Sequence, residues 1–307
     1  MSHGIFDLKG KKALVTGGAI GIGRACATAL ALGGADVAIV GRTRETAERA
    51  CASLRQFGVQ SFFVQCDVCD VMQIRATHQE VADRLGRLDI AVNNAGGGVV
   101  RSALAVDQAD WDRMIDVNLA GVFWCAQAQA EQMTRQAPPG GKIINIASMY
   151  ATVAGGNCAY NASKAGVVHL TRSLAAEWGS ENINVNCISP GWTLTPGNRF
   201  EPALRARMRE VTPLGSLMRY GDIHGAVIFL ASAASDFVTG HDLVIDGGHT
   251  ITTQLAPYKR HVPPRTSPAG EEEGMNEDLG HAGSLPKTES AQSISYEDLA
   301  SLKDRVR

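Results

Sequence analysis

Between residues 8 and 253, short apolar runs alternate with longer segments whose apolar residues recur every three or four positions. Lys12 to Thr16 (KALVT), Asp36 to Val40 (DVAIV), Ser61 to Cys66 (SFFVQC), Leu88 to Asn93 (LDIAVN) and Lys142 to Ala147 (KIINIA) read as strands, with two more over Asn184 to Ser189 and His241 to Ile245. The stretches between them predict helices over about 21–32, 45–57, 70–85, 110–136, 157–179 and 222–233. Short, continuously apolar strands joined by helices imply a parallel sheet covered on both faces. The expected architecture is α/β: a Rossmann-type doubly wound sheet of about seven strands, forming a single domain over 1–253.

The pattern stops near residue 254. The last 54 residues hold five of the eleven prolines, a Glu271-Glu272-Glu273 run and many Ser, Gly and Thr residues. Such a segment has little apolar surface to offset the entropy of ordering it, so 254–307 reads as a mostly disordered or extended tail. Ile294, Leu299, Leu302 and Val306 recur at near-helical spacing, which marks 293–306 as a candidate short helix.

Composition narrows the function classes. With 29 Lys+Arg against 31 Asp+Glu, the chain has no basic field for nucleic acid. No apolar run reaches the 18 or so residues of a membrane span, and the N-terminus has neither the basic nor the apolar region of a secretory signal. Seven cysteines, an odd number spread over a long chain, do not make a disulfide framework, so a cytoplasmic location is expected. Cys66-x-x-Cys69 has no second pair to complete a zinc site, and the eight histidines show no ligand spacing; no metal is expected. Glycine is in excess at 33 residues.

Five of those glycines lie in telling places. The first strand runs into Thr16-Gly17-Gly18-Ala19-Ile20-Gly21-Ile22-Gly23, after which a helix begins. Glycines at such a turn let the backbone approach a pyrophosphate and let the helix pack close to the sheet. The second strand then ends in Val40-Gly41-Arg42-Thr43-Arg44. An NAD site places a carboxylate there for the ribose 2′-hydroxyl; Arg42, with Arg44 nearby, suits a 2′-phosphate. NADP(H) is therefore expected in preference to NAD(H). Ser148 follows the fifth strand, and Tyr160-Asn161-Ala162-Ser163-Lys164 puts Tyr160 and Lys164 four residues apart, on one helix face. An ammonium near a phenol favours the phenolate and lowers the tyrosine pKa from about 10.

Taken together, Thr16-Gly17-x-x-x-Gly21-Ile22-Gly23, Asp67-Val68, Asn93-Asn94-Ala95-Gly96, Asn118, Ser148, Tyr160-x-x-x-Lys164, Pro190-Gly191 and Asp246-Gly247-Gly248 resemble the short-chain dehydrogenase/reductase superfamily in its form of about 250 residues. The resemblance implies that Tyr160 is the general acid/base and that Ser148 hydrogen-bonds the substrate oxygen. It implies that Lys164 holds the nicotinamide ribose and lowers the tyrosine pKa, and that Asn118 anchors a proton relay through Lys164. Gly17, Ile20, Gly21, Ile22 and Gly23 would contact the pyrophosphate, Asp67 and Val68 the adenine, and Asn94, Ala95 and Gly96 the adenosine ribose. Pro190, Gly191, Thr193 and Thr195 would meet the nicotinamide carboxamide. Many NADP-preferring members carry a basic residue just before the second motif glycine, where this chain has Ile20. The resemblance also implies that the helices near 110–136 and 157–179 pair with a second subunit, giving a homodimer or homotetramer.

The implied reaction is reversible hydride transfer between the nicotinamide and a small-molecule carbonyl or alcohol. Around Ser148, the residues Met149, Tyr150, Trp192 and Asn198 are the substrate candidates, with Asn157 and Arg199 as further polar readers. They favour a sugar, polyol or other small oxygenated ketone; a ketoacyl thioester and a cyclic ketone of secondary metabolism are the alternatives. A cofactor-sensing protein without chemistry is the remote one, since Tyr160, Lys164, Ser148 and Asn118 are all present.

Overall fold

The structure, a computed structural model, describes residues 4–98, 101–155, 157–195 and 200–252. Asn198, Arg199 and the tail, with its candidate helix over 293–306, lie outside the described residues. Seven strands form one parallel sheet: β1 (Lys12–Thr16), β2 (Asp36–Gly41), β3 (Ser61–Gln65), β4 (Ile90–Asn93), β5 (Gly141–Ile146), β6 (Ile183–Pro190) and β7 (Asp242–Ile245), in the order β3-β2-β1-β4-β5-β6-β7. The helices are α1 (Gly21–Leu32), α2 (Arg44–Arg55), α3 (Val71–Leu85), α4 (Gln108–Ile115), α5 (Gly121–Arg135), α6 (Cys158–Trp178), α7 (Pro202–Glu210) and α8 (His224–Ala231).

Side chains alternate between the two faces of the sheet. Ala13, Val15, Val37, Ile39, Val92 and Ile144 pack against α1, α2 and α8. Leu14, Ala38, Val40, Ala91 and Ile143 turn the other way, onto α3, α5 and α6. Burial on both faces explains why the strands read as continuous apolar runs rather than as alternating ones.

Register sets up the site. Thr16 lies opposite Val40 on one side and Asn93 on the other, and Asn93 lies opposite Asn145. The strands thus end in one row, and their following loops leave from the same edge. The order reverses between β1 and β4, which is where ligands bind in doubly wound sheets.

Two elements differ from the sequence expectation. The helix expected over 110–136 is α4 and α5 joined by a π-helical turn, Asp116–Ala120. A π turn holds one residue more than an α turn, which rotates the side chains it carries. The region after Gly191 also contains a helix, α7, with Pro202 in its first turn, and Thr193 bridges to Met218.

Candidate active site

The site assembles where β1, β4 and β5 end. Gly17 has φ +65°, open to glycine at little cost, and a Cβ there would lie 2.8 Å from Asn94 Nδ2. Gly23 is tighter still: its Cβ would meet Gly17 O at 2.2 Å, so no side chain fits between the turn and α1. Thr16 Oγ1 accepts from the backbone amides of Asn94 and Ala95, both at 3.0 Å, and Asn94 Nδ2 donates to Thr16 O at 3.1 Å. The glycine turn and the loop after β4 are therefore one braced unit. α1 begins at Gly21 with no side-chain cap at Ile20 and no acid in its first turn, leaving its positive end to face an anion. Ile20 is exposed, and Thr195 Cγ2 comes within 3.9 Å of a Cβ placed on Gly21, so the segment after β6 reaches the turn.

Arg42 is exposed on the turn after β2. Arg44 is committed elsewhere, over the Phe63 ring at 5.2 Å and paired with Glu48 at 3.4 Å. Asp67 Oδ1 accepts from Cys69 N at 3.0 Å, and Val68 is buried, with its carbonyl oxygen 2.8 Å from a Cβ placed on Gly121. Asp70 caps α3 just beyond, accepting from the amides of Met72 and Gln73.

The π turn aims Asn118 inward, where it is fully buried. Its Nδ2 donates to Gly97 O at 2.8 Å while its Oδ1 accepts from Gly97 N at 3.0 Å. A Cβ on Gly96 would lie 2.6 Å from Asn118 Oδ1 and 3.6 Å from Lys164 Nζ, so the two side chains border one small space. Lys164 is buried and donates to Ile146 O at 2.8 Å, with Nζ 5.7 Å from the centre of the Tyr160 ring. Ser148 starts a short helical turn, Met149–Ala151, and Asn157 caps α6 by accepting from Tyr160 N at 3.1 Å. Asn157 thus has a structural task where a substrate contact was an expectation. Met149 is buried.

The electrostatics differ from expectation. Burial pushes the Tyr160 phenol above its usual value, and a hydrogen bond from Ser148 offsets part of that rise. Lys164 is itself desolvated, and burial lowers its pKa to about 8.

The loop after β6 completes the wall. Gly191 N donates to Ile245 O at 2.8 Å, and Thr193 is buried with its hydroxyl on Gly191 O at 3.0 Å. Trp192 Nε1 donates to the Tyr150 hydroxyl at 3.2 Å and its ring packs on His249 with centroids 4.1 Å apart. His249 was not among the expected site residues. It follows Asp246-Gly247-Gly248, but a lone histidine after a glycine pair carries no sequence signal of ring packing.

Residues 17–250 match the family model described as enoyl-(acyl carrier protein) reductase. The chain is 42% identical over 250 residues to the D-threitol dehydrogenase of Mycolicibacterium smegmatis, spanning 80% of this chain and 95% of the relative. The chain belongs to the short-chain dehydrogenase/reductase superfamily. Within that superfamily it is also 38% identical over 241 residues to a 3-oxoacyl-acyl-carrier-protein reductase of Staphylococcus aureus, covering 78% of this chain and 97% of the relative. Among solved members it resembles a gluconate 5-dehydrogenase from Burkholderia cenocepacia J2315, in complex with NADP and tartrate. That match has a TM-score of 0.77 and 38% identity over 81% of this chain and 98% of the other. As a short-chain dehydrogenase/reductase, the chain is an oxidoreductase that uses a nicotinamide cofactor on an alcohol or ketone group. Among the described residues, no helix is long and apolar enough to cross a membrane.

Proposed function

We propose that this chain is an NADP(H)-preferring enzyme that reduces a small, polyol- or sugar-like ketone to its secondary alcohol, with Tyr160 as general acid/base. The observation that carries this reading is the convergence of Ser148, Tyr160, Lys164 and Asn118 beside a glycine turn with no room for side chains. The cradle fits a dinucleotide: bare backbone at Gly17 and Gly23, an uncapped helix end free of acids, and Thr195 close to the turn. Arg42 favours a 2′-phosphate because it is exposed at the tip of β2, where no carboxylate stands.

The bound nicotinamide supplies the hydride in reduction and accepts it in oxidation. The chain does the rest. Ser148 donates to the substrate oxygen, and Tyr160 delivers the proton to that oxygen, a step worth about 10²–10⁴ in rate. Lys164 holds a proton at Nζ that refills Tyr160, and Asn118 orders the space between Lys164 and solvent. Similarity to a D-threitol dehydrogenase supports the polyol class, and similarity to a 3-oxoacyl reductase supports ketoacyl thioesters as the second reading. We also infer a homodimer or homotetramer, since Trp111, Phe237, Val244 and Ile251 leave apolar surface exposed.

Oxidation of NADPH and NADH by the purified chain, against ketosugars, hydroxyketones and β-ketoacyl thioesters, tests the reading. Turnover of hydroxylated ketones with NADPH is the expected result, lost on Tyr160→Phe while NADPH still binds. Arg42→Asp is expected to weaken NADPH about 10- to 100-fold more than NADH, the equivalent of roughly 1–3 kcal/mol. Equal effects on both cofactors remove Arg42 from the 2′-phosphate site.

A further inference from the structure

Tyr150 and Trp192 are far apart in sequence, yet the indole Nε1 donates to the Tyr150 hydroxyl at 3.2 Å. An indole N–H donates and never accepts, so the Tyr150 oxygen is the acceptor and its own proton points away from the indole. Three contacts hold this arrangement. The Tyr150 amide donates to Ser148 Oγ at 3.2 Å, which carries the ring on the same short turn as Ser148. Gly155 passes flat against the ring, since a Cβ there would lie 2.3 Å from Tyr150 Cε1. Trp192 rests on the buried His249, whose turn is braced by Asp246 accepting from the amides of Gly248 at 2.8 Å and Thr250 at 2.6 Å.

We propose that Tyr150 is a specificity-determining donor whose proton, aimed by Trp192, reads a hydroxyl on the carbon next to the reacting carbon, so that the substrate class is the α-hydroxyketone with its vicinal diol. This rests on the alcohol/ketone reading of the site and narrows it. Tyr150 stands two residues after Ser148, and its amide bond to Ser148 Oγ keeps it next to that carbonyl donor. Ser148 and Tyr160 are the donors for the carbonyl oxygen itself, which leaves Tyr150 as a third donor beside it. A neighbouring hydroxyl takes the Tyr150 proton; an alkyl group in the same place leaves that proton unpaired. Discrimination therefore comes from a penalty on the plain ketone as much as from a gain on the hydroxyketone.

The test compares two ketones of nearly equal shape, 3-hydroxybutan-2-one and 3-methylbutan-2-one, with NADPH as reductant. The wild-type chain is expected to favour the hydroxyketone about 10-fold or more in kcat/KM, the size of one neutral hydrogen bond. Tyr150→Phe should collapse that ratio towards one. Trp192→Phe keeps a ring on His249 but removes the N–H, so it should lower the ratio part-way, and the double variant should be no worse than Tyr150→Phe alone. NADPH binding, read by fluorescence, reports that each variant is folded. A wild-type ratio near one, or a Tyr150→Phe variant that loses both substrates in equal proportion, overturns the proposal while the ketone-reductase reading stands. Binding of NADPH with no turnover of any ketone or alcohol overturns that reading, and this proposal with it.

Discussion

Lys164 keeps its ammonium where water does not reach, and the consequence is measurable without substrate. Its folded pKa is pushed down to about 8 by burial, against about 10.5 when unfolded. Below pH 8 both states are protonated and the folded chain bears the whole cost of the buried charge. Between 8 and 10.5 the unfolded chain binds more protons, so this group makes stability rise with pH. Lys164→Met removes the titration and keeps most of the volume. The stability advantage of the variant over wild type should therefore shrink by roughly 3 kcal/mol at most as pH climbs from 8 to 10.5. Denaturant unfolding at fixed protein concentration and three pH values reads this, and a constant gap would mean that Lys164 is not desolvated. The raised Tyr160 phenol works in the opposite sense above pH 10, equally in both proteins.

Helix ends decide how precisely such groups are aimed. The cap of α6 is Asn157, and the amide it accepts from is that of Tyr160 itself, at 3.1 Å. Asn157→Ala should cost about 1 kcal/mol of stability, and it also releases the turn that carries the proton donor. A drop of about 3- to 10-fold in kcat with little change in KM is expected, restored by Asn157→Asp or Asn157→Ser, which cap equally well. A loss confined to stability would leave Asn157 a cap and nothing more. The same helix explains what the sequence made legible. Tyr160 and Lys164 were readable because four-residue spacing fixes a helix face whatever surrounds it, and Gly17 and Gly23 because backbone crowding tolerates no other residue. The capping task of Asn157 was not legible, because a polar residue before a helix looks the same whether its oxygen faces a ligand or an amide. The π turn at Asp116–Ala120 was not legible at all: its pattern of apolar positions runs through a single helix, and the extra residue shows only in the backbone bond from Gly121 N to Asp116 O, five residues back.

On one face of the sheet, over β4 and β5, runs a chain of buried polar groups that the apolar pattern conceals. It starts at α3, where His78 Nδ1 lies 2.7 Å from Ile74 O, and a carbonyl only accepts, so Nδ1 carries the proton. Nε2 is then the acceptor and takes a hydrogen bond from Gln129 Nε2 of α5 at 3.3 Å. Gln129 and Asn93 of β4 exchange amide bonds at 2.8 and 3.0 Å, and Asn93 Nδ2 also donates to Asn145 Oδ1 of β5 at 3.0 Å. Asn145 donates to Thr171 of α6 at 3.0 Å, whose hydroxyl ends the chain on Val167 O at 2.8 Å. Two helix carbonyls, one at each end, fix the sense of every bond between them, and the path ties α3, α5 and both central strands to the helix that carries Tyr160. Such a network stabilises when complete and costs dearly when cut. Gln129→Leu should cost about 1–3 kcal/mol for each group it leaves unpaired. Acid should cut it too. Burial holds His78 below its usual pKa, so as pH falls below about 6.5 the unfolded chain takes up a proton that the folded one resists, and stability drops. A charged ring would also turn an N–H towards the Gln129 N–H. His78→Leu loses stability at pH 7 but should remove its share of the slope between pH 7 and 5, which Tm measured across that range in both proteins reads directly. Parallel slopes would show that His78 is not the titrating group, and the network would then be a pH-independent brace.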